Sequence, residues 1–503
     1  MTEIIGVDVG TTSTKVVLYD QAGTAIASAN HGYPLYQTEP GMAEESPTEI
    51  YEAVVAGIAE VTEKATQPVA GISFSAAMHS LILLDDQFQP LTRMLTWADN
   101  RAAAAAEQLR ALPNAHDLYA NTGTPLHPMT PLAKLVWLAQ TQPQLHQQAR
   151  WFVDIKAYLL QRLCGQLVTD YSIANATGLF NLHTFDWDPQ ALQLAQITAA
   201  QLPQLVDTTT QLIGLNKTVA ARLKLAPATP LIVGASDGCL ANLGVNAIEP
   251  GVAAITIGTS GAIRVVTDAP KLDPHGRLFC YYLAPHRWVV GGPVNNGGNV
   301  LRWVEDTLFS AEKTANTGTD RSTIEMMLAL AAKVPAGSHG LLMHPYLNGE
   351  RAPLWEATAR GAYFGLTARH SRAEMTRAAL EGICFNLAHV ANMVQALTGP
   401  FTQLQATGGF TRSETWLGIL ADIFDTTVTI PDSMASSSLG AAILGFESLG
   451  LISDLTAVKT MVDTTRQQRP NPTNVQTYQE LYPIYEQLIT AYQPIFKQLA
   501  KFK

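Results

Sequence analysis

Residues 4–20 constrain the fold of this chain more than any other stretch. They read IIGVDVGTTSTKVVLYD, in which two runs of strand-forming residues flank a glycine and a series of hydroxyl side chains. Valine and isoleucine favour strands, and glycine gives the backbone freedom that a sharp turn needs. We therefore predict a β-hairpin whose turn consists of Gly10, Thr11, Thr12 and Ser13, with Lys15 just beyond it.

The predicted turn has the composition of an anion site, and Asp8 precedes it. Backbone N–H groups gathered in one turn form a concave site for a phosphate. A carboxylate inside an apolar strand is costly unless a cation meets it, and a hydrated Mg²⁺ is a natural partner between a phosphate and a strand. By itself, this stretch is explained equally well by an ordinary hairpin in which Asp8 hydrogen-bonds locally.

A second copy of the pattern lies near the middle of the chain. Residues 253–266 read AAITIGTSGAIRVV, so that Gly258 and Thr259 repeat the position of the first turn. One such turn near the start of each half predicts two similar domains that face a central cleft, as in the actin-like ATPases. Since strands and helices alternate in both halves, we expect an α/β fold. The likeness to the actin-like ATPases implies that its two domains, residues 1–247 and 248–503, are of the actin-like ATPase (ribonuclease H-like) type. The chain contains no Walker-type phosphate loop.

The composition supports two globular domains and limits the classes of molecule that the protein is expected to bind. A chain of 503 residues exceeds a single core. Its net charge of −10 disfavours nucleic acid and anionic membranes as partners. No apolar run is long enough for a membrane-spanning helix, no secretory signal precedes the first strand, and the four cysteines form no Cys-x-x-Cys pair. We expect a cytoplasmic protein that acts on a small molecule, and a homodimer is left open.

Asp237 is the leading candidate for a catalytic group. It follows the apolar residues 230–235 and precedes Gly238, at the place where open α/β sheets bind ligands. A carboxylate there can accept the proton of a substrate hydroxyl while the hydroxyl oxygen attacks a γ-phosphoryl group, and phosphoryl transfer needs little other covalent help. The structural alternative is an N-cap aspartate of the next helix.

Several further side chains are candidates for contacts with a substrate. His79 ends a strand of the first half, although a single histidine is more often a core or surface residue. Trp97, Asp99 and Arg101 form a compact group that suits a polyol and equally suits a domain edge. Lys156 is a candidate cation for an anionic substrate, with a solvated helix lysine as the more frequent alternative.

Two glycine pairs are weaker signals. Gly408-Gly409 follows a strand of the second half, where an absent side chain lets another group approach the backbone. Such a position is suited to an adenine base. Gly297-Gly298 is a similar pair. No cluster of His, Cys and Asp has the spacing of a structural metal site.

Two long segments resemble the signatures of the FGGY carbohydrate kinases, a branch of the actin-like ATPase fold. Residues 129–138 (MTPLAKLVWL) are similar to the first signature, and residues 361–366 (GAYFGL) with 379–382 (ALEG) are similar to the second. The resemblance runs over nearly the whole chain. Within the family it is strongest to the gluconate kinases, through residues 73–80, 96–101, 123–129, 234–238, 291–298 and 405–414.

The resemblance implies a role for each matching residue. On the acceptor side it implies sugar contacts from Met78 and His79, a catalytic base at Asp237 and a magnesium ion beside Asp8. On the nucleotide side it implies contacts with ATP from Thr11, Thr12, Ser13, Gly258, Thr259, Gly298, Arg302, Gly409 and Ser413. We expect Gly10, Lys15 and Phe410, which lie next to these residues, to contribute as well. Some relatives have Asn or Gln after the base where this chain has Gly238, so any contact of that side chain is absent here.

The leading hypothesis is therefore ATP-dependent phosphorylation of D-gluconate to 6-phospho-D-gluconate, with Mg²⁺ and with ATP mainly in the second domain. Arg101 and Lys156 are the candidate cations for the substrate carboxylate. Within the same class, the alternative is a kinase for xylulose, ribulose or glycerol. From another class, the alternative is an actin-like or chaperone-like ATPase, which uses the nucleotide to change shape and needs a polymer or peptide-binding surface.

Overall fold

A computed structural model of the chain describes residues 2–315, 322–432 and 435–502. Contacts between residues divide the chain into two compact units. Unit 1 comprises Met1–Ile248, Val266–Val289 and Ser433–Asp463, and unit 2 comprises Glu249–Val265, Val290–Asp432 and Thr464–Lys503. Each unit contains strands and helices, as the predicted α/β class requires.

The first 248 residues begin with long strands and then alternate short strands with helices. The strands are β1 (Glu3–Val9), β2 (Ser13–Tyr19), β3 (Ala25–Gly32), β4 (Glu44–Glu45), β5 (Val69–Ala76), β6 (Ile82–Leu84), β7 (Met94–Leu95), β8 (Trp151–Val153), β9 (Val168–Asp170), β10 (Phe180–Asn181), β11 (Asp186–Trp187), β12 (Gln204–Val206), β13 (Gln211–Leu212) and β14 (Leu231–Ser236). The helices are α1 (Pro47–Thr62), α2 (Ala103–Arg110), α3 (Ala115–Thr122), α4 (Pro131–Thr141), α5 (Pro143–Gln148), α6 (Ile155–Cys164), α7 (Tyr171–Ala176), α8 (Pro189–Ala195), α9 (Lys217–Leu223) and α10 (Asp237–Gly244).

The rest of the chain again starts with strands and ends in helices. Its strands are β15 (Val252–Ile257), β16 (Gly261–Thr267), β17 (Phe279–Ala284), β18 (Arg287–Val294), β19 (Leu342–His344), β20 (Ala362–Phe364), β21 (Gln403–Thr407), β22 (Val428–Thr429) and β23 (Gln467–Gln468). Its helices are α11 (Gly298–Leu308), α12 (Ser310–Ala315), α13 (Thr323–Ala331), α14 (Arg372–Thr398), α15 (Glu414–Phe424), α16 (Ser436–Ser448), α17 (Val458–Met461) and α18 (Pro472–Leu499).

The main sheet of unit 1 has six strands in the order β13-β14-β5-β1-β2-β3. The predicted hairpin is confirmed, because β1 pairs antiparallel with β2 from Ile4 opposite Tyr19 to Val9 opposite Thr14. β1 and β14 both pair parallel with β5. The carboxyl ends of these three neighbouring strands therefore meet at one edge of the sheet.

Helix α1 shows how the sequence pattern builds the core of unit 1. It begins at Pro47, and the Ser46 side chain caps it by accepting a hydrogen bond from Glu49 N at 3.3 Å. Apolar side chains recur at helical spacing and are almost fully buried: Ile50, Val54, Ile58 and Val61. Burying each side chain of this size is worth about 1.5–3 kcal/mol, so this stripe holds the helix against the sheet.

Glycines let the small-residue helix α16 approach its neighbours in unit 1 closely. A Cβ on Gly6 of β1 would lie 2.2 Å from Ser438 O, and a Cβ on Gly440 would lie 2.1 Å from Leu240 O of α10. Real Cβ atoms do not come so close to a carbonyl oxygen. The glycines are therefore required for packing α16 against β1 and α10.

Unit 2 repeats the strand pairing of unit 1. β15 pairs antiparallel with β16 and parallel with β21, and β21 pairs parallel with β22. The order β16-β15-β21-β22 thus corresponds to β2-β1-β5-β14. The predicted strand–turn–strand at residues 253–266 is confirmed, with Ala253 opposite Val265 and Ile257 opposite Gly261.

Candidate active site

Three parallel strands of unit 1 bring polar residues to the same edge of the sheet. In the observed register, Asp8 of β1 lies opposite Ser75 of β5, and Ser236 of β14 lies opposite Ala76 of β5. Asp237 follows Ser236 directly and is the first residue of α10. Ligands of open α/β sheets bind at the carboxyl ends of the strands, so this edge is the place to expect a site.

Asp8 has an electrostatic environment that suits a bound cation. Ser75 Oγ donates to Asp8 Oδ1 at 2.8 Å. The pKa of Asp8 is raised to about 7, first by burial and then by the nearby carboxylate of Asp237, while the hydrogen bond from Ser75 and the charge of Lys15 act in the opposite direction. Two carboxylates that repel one another at neutral pH are stabilised by a divalent cation.

The prediction of the site did not include Ser75. A signal was available, because serines alternate with phenylalanine at residues 73–75, and alternate residues of a strand lie on one face. The parallel register of β1 and β5, which joins Ser75 to Asp8, is not visible in the sequence of either strand alone.

Asp237 lies at the start of α10 and is partly buried. Its Oδ1 accepts a hydrogen bond from Gly238 N at 2.8 Å. The N-cap residue of the helix is Ser236, so the alternative interpretation of Asp237 as the N-cap is wrong. The carboxylate is close enough to Asp8 to raise the pKa of that residue, and the structure therefore brings these two acids together.

The first turn is held by hydrogen bonds on two sides. Gly10 N donates to Ser13 O across the turn at 3.1 Å, and Tyr33 OH donates to Gly10 O at 2.5 Å. On the other side, Trp97 Nε1 donates to Thr11 Oγ1 at 2.9 Å. Thr12, at the tip of the turn, is exposed. The bond from Trp97 thus joins a residue predicted to contact substrate with the turn predicted to bind phosphate.

Met78 and His79 lie two and three residues beyond the carboxyl end of β5. His79 has a φ of 65°, in the left-handed region, which is uncommon for a residue with a side chain and costs conformational energy. Its ring is largely buried, and Nδ1 donates to Ala176 O at 2.7 Å. Residues held in such conformations cluster at functional sites. Met78 is partly buried and packs against the core.

Asp99 and Arg101 are paired with each other. Arg101 Nη2 lies 2.7 Å from Asp99 Oδ2 and 2.5 Å from Glu44 Oε1. The Asp99 side chain is fully buried and also accepts a hydrogen bond from Ala43 N at 3.0 Å. The Arg101 guanidinium lies over the Trp137 ring, 4.9 Å from its centroid. This cation thus already has two carboxylate partners.

Lys156 is completely buried. Its ammonium nitrogen lies 2.6 Å from Asp170 Oδ2 and donates to Ala235 O at 3.0 Å. The alternative interpretation of Lys156 as a solvated helix lysine is therefore wrong. The predicted direct contact with a substrate carboxylate gains no support from this geometry, because neither side chain of the pair has exposed surface.

Lys134 is a further buried lysine, which the prediction of the site did not include. Its Nζ donates to His79 O and to Thr96 O, both at 2.7 Å. Burial lowers its pKa to about 7. It thereby ties the segment that ends in His79 to the segment that continues into Trp97. The available signal was its position as the one charged residue of the apolar segment 129–138.

The second turn lies against the start of α11 in unit 2. Gly258 N donates to Ser260 O at 2.9 Å, and Gly298 N donates to Gly258 O at 2.7 Å. A Cβ on Gly297 would lie 2.7 Å from Ser260 O, and one on Gly298 would lie 2.8 Å from Gly258 O. The glycine pair is therefore needed for this approach. Gly258 and Thr259 themselves are exposed.

A third group of predicted nucleotide contacts follows β21. Gly408 has a φ of 111°, and a Cβ there would lie 2.2 Å from Ile257 O, whereas a Cβ on Gly409 would meet nothing within 4 Å. The Phe410 ring is buried and packs edge-on against Trp416. A nucleotide can therefore meet the backbone here more easily than the ring.

Ser413 and Arg302 complete the predicted set in unit 2. Ser413 caps α15 and accepts a hydrogen bond from Trp416 N at 3.2 Å. Arg302 lies on the exposed face of α11, four residues after Gly298. Residues four apart are neighbours on a helix surface, so Arg302 stands on the same side of the helix as its first residue.

The described residues contain neither a metal-binding cluster nor a membrane-spanning helix. Within residues 2–315, 322–432 and 435–502, no group of three or more His, Cys, Asp and Glu side chains is placed to hold a metal ion. In the same part of the chain, no helix combines the length and the apolar character that crossing a membrane requires.

Comparison with known proteins identifies the family. Residues 3–244 match the N-terminal domain of the FGGY family of carbohydrate kinases, and residues 253–449 match the C-terminal domain. The chain therefore belongs to the FGGY family of carbohydrate kinases. As a kinase of this family it uses ATP as the phosphate donor.

Individual relatives are similar over the full length. The chain is 43% identical to a gluconokinase of Bacillus subtilis (strain 168), over 99% of this chain and 98% of that protein. The structure of a gluconate kinase from Lactobacillus acidophilus matches with a TM-score of 0.94 and 40% identity, over 100% of both chains. A ligand-bound xylulose kinase from Lactobacillus acidophilus matches with a TM-score of 0.94 and 40% identity, over 99% of this chain and 100% of that chain. The predicted family and fold class are confirmed.

Proposed function

We propose that this kinase transfers the γ-phosphoryl group of ATP to the 6-hydroxyl group of D-gluconate, giving ADP and 6-phospho-D-gluconate. Full-length similarity to a gluconokinase and to a gluconate kinase of known structure supports this acceptor. The observation that carries the chemistry is the placement of Asp8 and Asp237 at one edge of the sheet, where the charge of one raises the pKa of the other.

Asp237 acts as the general base in this proposal. The proton of the acceptor hydroxyl moves to its carboxylate, and the hydroxyl oxygen forms a bond to the γ-phosphorus. The bond between that phosphorus and the β–γ bridging oxygen breaks, and ADP leaves with the bond's electron pair. Phosphoryl transfer depends mainly on positioning and charge stabilisation, and a positioned base contributes about 10²–10⁴-fold.

Asp8 is the residue proposed to hold Mg²⁺. The site fits the ion, because a carboxylate with its pKa raised to about 7 by burial and by a neighbouring acid gains from a nearby cation. Mg²⁺ is usually bound by one or two carboxylates together with substrate phosphates, so the absence of a larger acidic cluster among the described residues is compatible with it. When bound, the ion neutralises charge on the phosphates.

The nucleotide contacts remain those predicted. Gly10, Thr11, Thr12, Ser13 and Lys15 are proposed to bind phosphate in unit 1. In unit 2, the proposed contacts are Gly258, Thr259, Gly298, Arg302, Gly409, Phe410 and Ser413. Exposed backbone at Gly258, Thr259 and Gly409 supports this assignment.

The domain division at residue 247, the cytoplasmic location and the homodimer stay predictions.

The acceptor contacts are proposed for residues at the strand edge of unit 1. Met78 and His79 follow β5 and are supported by the left-handed backbone at His79. Trp97 is supported by its hydrogen bond to the first turn. Asp99 and Arg101 are proposed to act as the ion pair described above, with the guanidinium as the candidate cation for the gluconate carboxylate.

A panel of acceptors tests the proposal. ADP release is measured with ATP and Mg²⁺ in the presence of gluconate, xylulose, ribulose or glycerol. We expect kcat/KM for gluconate to exceed the others by at least about 100-fold, because buried polar groups that match one acceptor are left unpaired by another. Xylulose is the specific alternative, since a xylulose kinase structure is as similar as the gluconate kinase structure. If kcat/KM is higher for xylulose than for gluconate, xylulose is the acceptor. If no acceptor stimulates ADP release, the proposal that the protein phosphorylates a sugar or polyol is wrong.

A further inference from the structure

Lys156 and Asp170 form a fully buried ion pair next to the strand that carries the proposed base. Lys156 Nζ lies 2.6 Å from Asp170 Oδ2, and neither side chain has exposed surface. The same ammonium group donates to the backbone oxygen of Ala235 at 3.0 Å. Ala235 is the penultimate residue of β14, and Asp237 follows two residues later.

The end of β14, which accepts this hydrogen bond, is irregular. The pairing of β14 with β5 shifts in register between Ile232 and Ala235. Within the shift, Gly234 has a φ of 74°, and a Cβ there would lie 1.7 Å from Phe74 O. Its N–H group donates to Thr208 O at 2.9 Å instead of to β5. Irregularities of this kind redirect the end of a strand, and here the ammonium group of Lys156 binds the carbonyl that follows.

Helix α7 extends the same support to a second segment of the site. Asp170 is the N-cap of α7. In the first turn of this helix, Ser172 Oγ accepts a hydrogen bond from Ser236 N at 3.1 Å and donates to Ser236 Oγ at 2.9 Å. At its end, Ala176 O accepts the hydrogen bond from His79 Nδ1 at 2.7 Å. One short helix thus contacts both the residue before Asp237 and the ring of His79.

We propose that the Lys156–Asp170 pair is a positioning element of the active site. It acts through the end of β14 and through α7, and so fixes the Asp237 carboxylate and the His79 ring together, without contact with the substrate. This inference rests on the proposed function, because it takes Asp237 as the base. A buried ion pair is weak evidence for a role in stability, since neutral groups of similar size often replace such pairs without loss of stability.

The variant that tests this role removes both charges at once. Replacing only one partner leaves a buried charge unpaired, whereas the double variant Lys156→Met with Asp170→Asn keeps an N-cap side chain for α7. We expect this variant to fold, to keep KM for ATP within about twofold, and to lose about 10–100-fold in kcat, because a displacement of about 1 Å can reduce the rate about 10²-fold.

A second buried ion pair serves as the matched control. Arg377 Nε lies 2.8 Å from Glu381 Oε1 in unit 2, and both side chains are buried. The control variant is Arg377→Met with Glu381→Gln. We expect it to lose stability and to keep kcat, measured per folded molecule, within about twofold.

A double-mutant cycle with Asp237→Asn separates positioning from a general structural role. Because the pair is proposed to act through both Asp237 and His79, we expect its removal to cost at least about threefold less in kcat when Asp237 is already replaced than in the wild-type background. The same factor in both backgrounds overturns the inference, and so does a wild-type kcat in the double variant.

The choice of acceptor keeps the two proposals distinct. If the panel selects an acceptor other than gluconate, the cycle is run with that acceptor and its result still decides the inference. Wild-type turnover by Asp237→Asn rejects the base, and the inference with it. Loss of turnover by Asp237→Asn together with unchanged turnover by the pair variant rejects the inference alone.

Discussion

The two hairpins share their strand pairing and differ in one decisive position. Asp8 and Thr256 each lie two residues before the glycine that opens the turn. In unit 1, Asp8 lies opposite Ser75 of the parallel strand β5, and its Oδ1 accepts a hydrogen bond from Ser75 Oγ at 2.8 Å. In unit 2, Thr256 lies opposite Thr407 of the parallel strand β21, and the two hydroxyl oxygens are 3.0 Å apart.

The residues that follow the adjacent parallel strands, β5 and β21, also differ between the two units. β5 leads to Met78 and to His79, whose φ is 65°. β21 leads to Gly408 and Gly409, which carry no side chain, and Gly408 has a φ of 111°. At these corresponding positions, unit 1 has a carboxylate and larger side chains, whereas unit 2 has a threonine and glycines. This difference suits chemistry on the acceptor in unit 1 and binding of the nucleotide against the backbone in unit 2.

Among changes that test the difference between the hairpins, removing the charge of Asp8, which makes the first hairpin resemble the second, is expected to have the largest effect. Asp8→Asn should lower kcat by at least about 100-fold, because preorganised charge at a transferring phosphoryl group is a large contribution to catalysis. Steady-state kinetics with saturating ATP and acceptor measure this loss. A kcat within about threefold of wild type contradicts the role of Asp8.

The same substitution should stabilise the protein without ligands at high pH. The pKa of Asp8 is raised from its ordinary value of 3.8 to about 7, so between these values the folded state keeps a proton that the unfolded state releases. Stability of the wild type therefore falls as pH rises through this window, and the charge costs up to about 4 kcal/mol above pH 7. Urea unfolding at pH 5 and pH 8 should show a gain for Asp8→Asn that is larger at pH 8. Asp86→Asn, at an exposed position, is the control and should show no such gain.

The glycine pair after β21 gives the next largest effect. Gly408→Ala should lower the free energy of unfolding by about 3 kcal/mol, because its conformation is strained for any side chain and its Cβ would clash with a carbonyl oxygen. Gly409→Ala meets open space and should change the free energy of unfolding by less than about 1 kcal/mol.

Binding of ADP separates the two glycines further. If Gly409 lies under the adenosine, Gly409→Ala should weaken ADP binding about tenfold, a difference of about 1.4 kcal/mol, while the protein stays stable. Calorimetric titration of ADP into both variants measures this difference. Unchanged ADP affinity in Gly409→Ala removes this residue from the proposed nucleotide site.

Tyr33→Phe should have the smallest effect. It deletes the hydroxyl that donates to Gly10 O at 2.5 Å, which is worth about 1 kcal/mol, and should raise KM for ATP a few-fold by loosening the first turn. The matched control is Tyr36→Phe, whose hydroxyl donates to Glu49 at 3.2 Å outside the turn. If both variants have the same KM for ATP, the hydrogen bond from Tyr33 to the first turn does not contribute to ATP binding.

Local patterns were enough to predict the two hairpins and the placement of Asp237 after an apolar strand, because each depends on neighbours in sequence. The partners of Asp8 and Lys156 depend on register and burial. Lys156 meets a carboxylate 14 residues away and a carbonyl 79 residues away, and no short segment contains that information. The chemistry of a residue could thus be predicted from its local segment, whereas its partner required the fold.

The proposed phosphoryl transfer depends above all on Asp237 as the general base. Asp237→Asn is assayed for turnover with the best acceptor and, in the same preparation, for binding of ATP. We expect kcat to fall by about 10²–10⁴-fold while the Kd for ATP stays within about threefold. Turnover near the wild-type rate, with the substitution verified, would show that Asp237 is not the base.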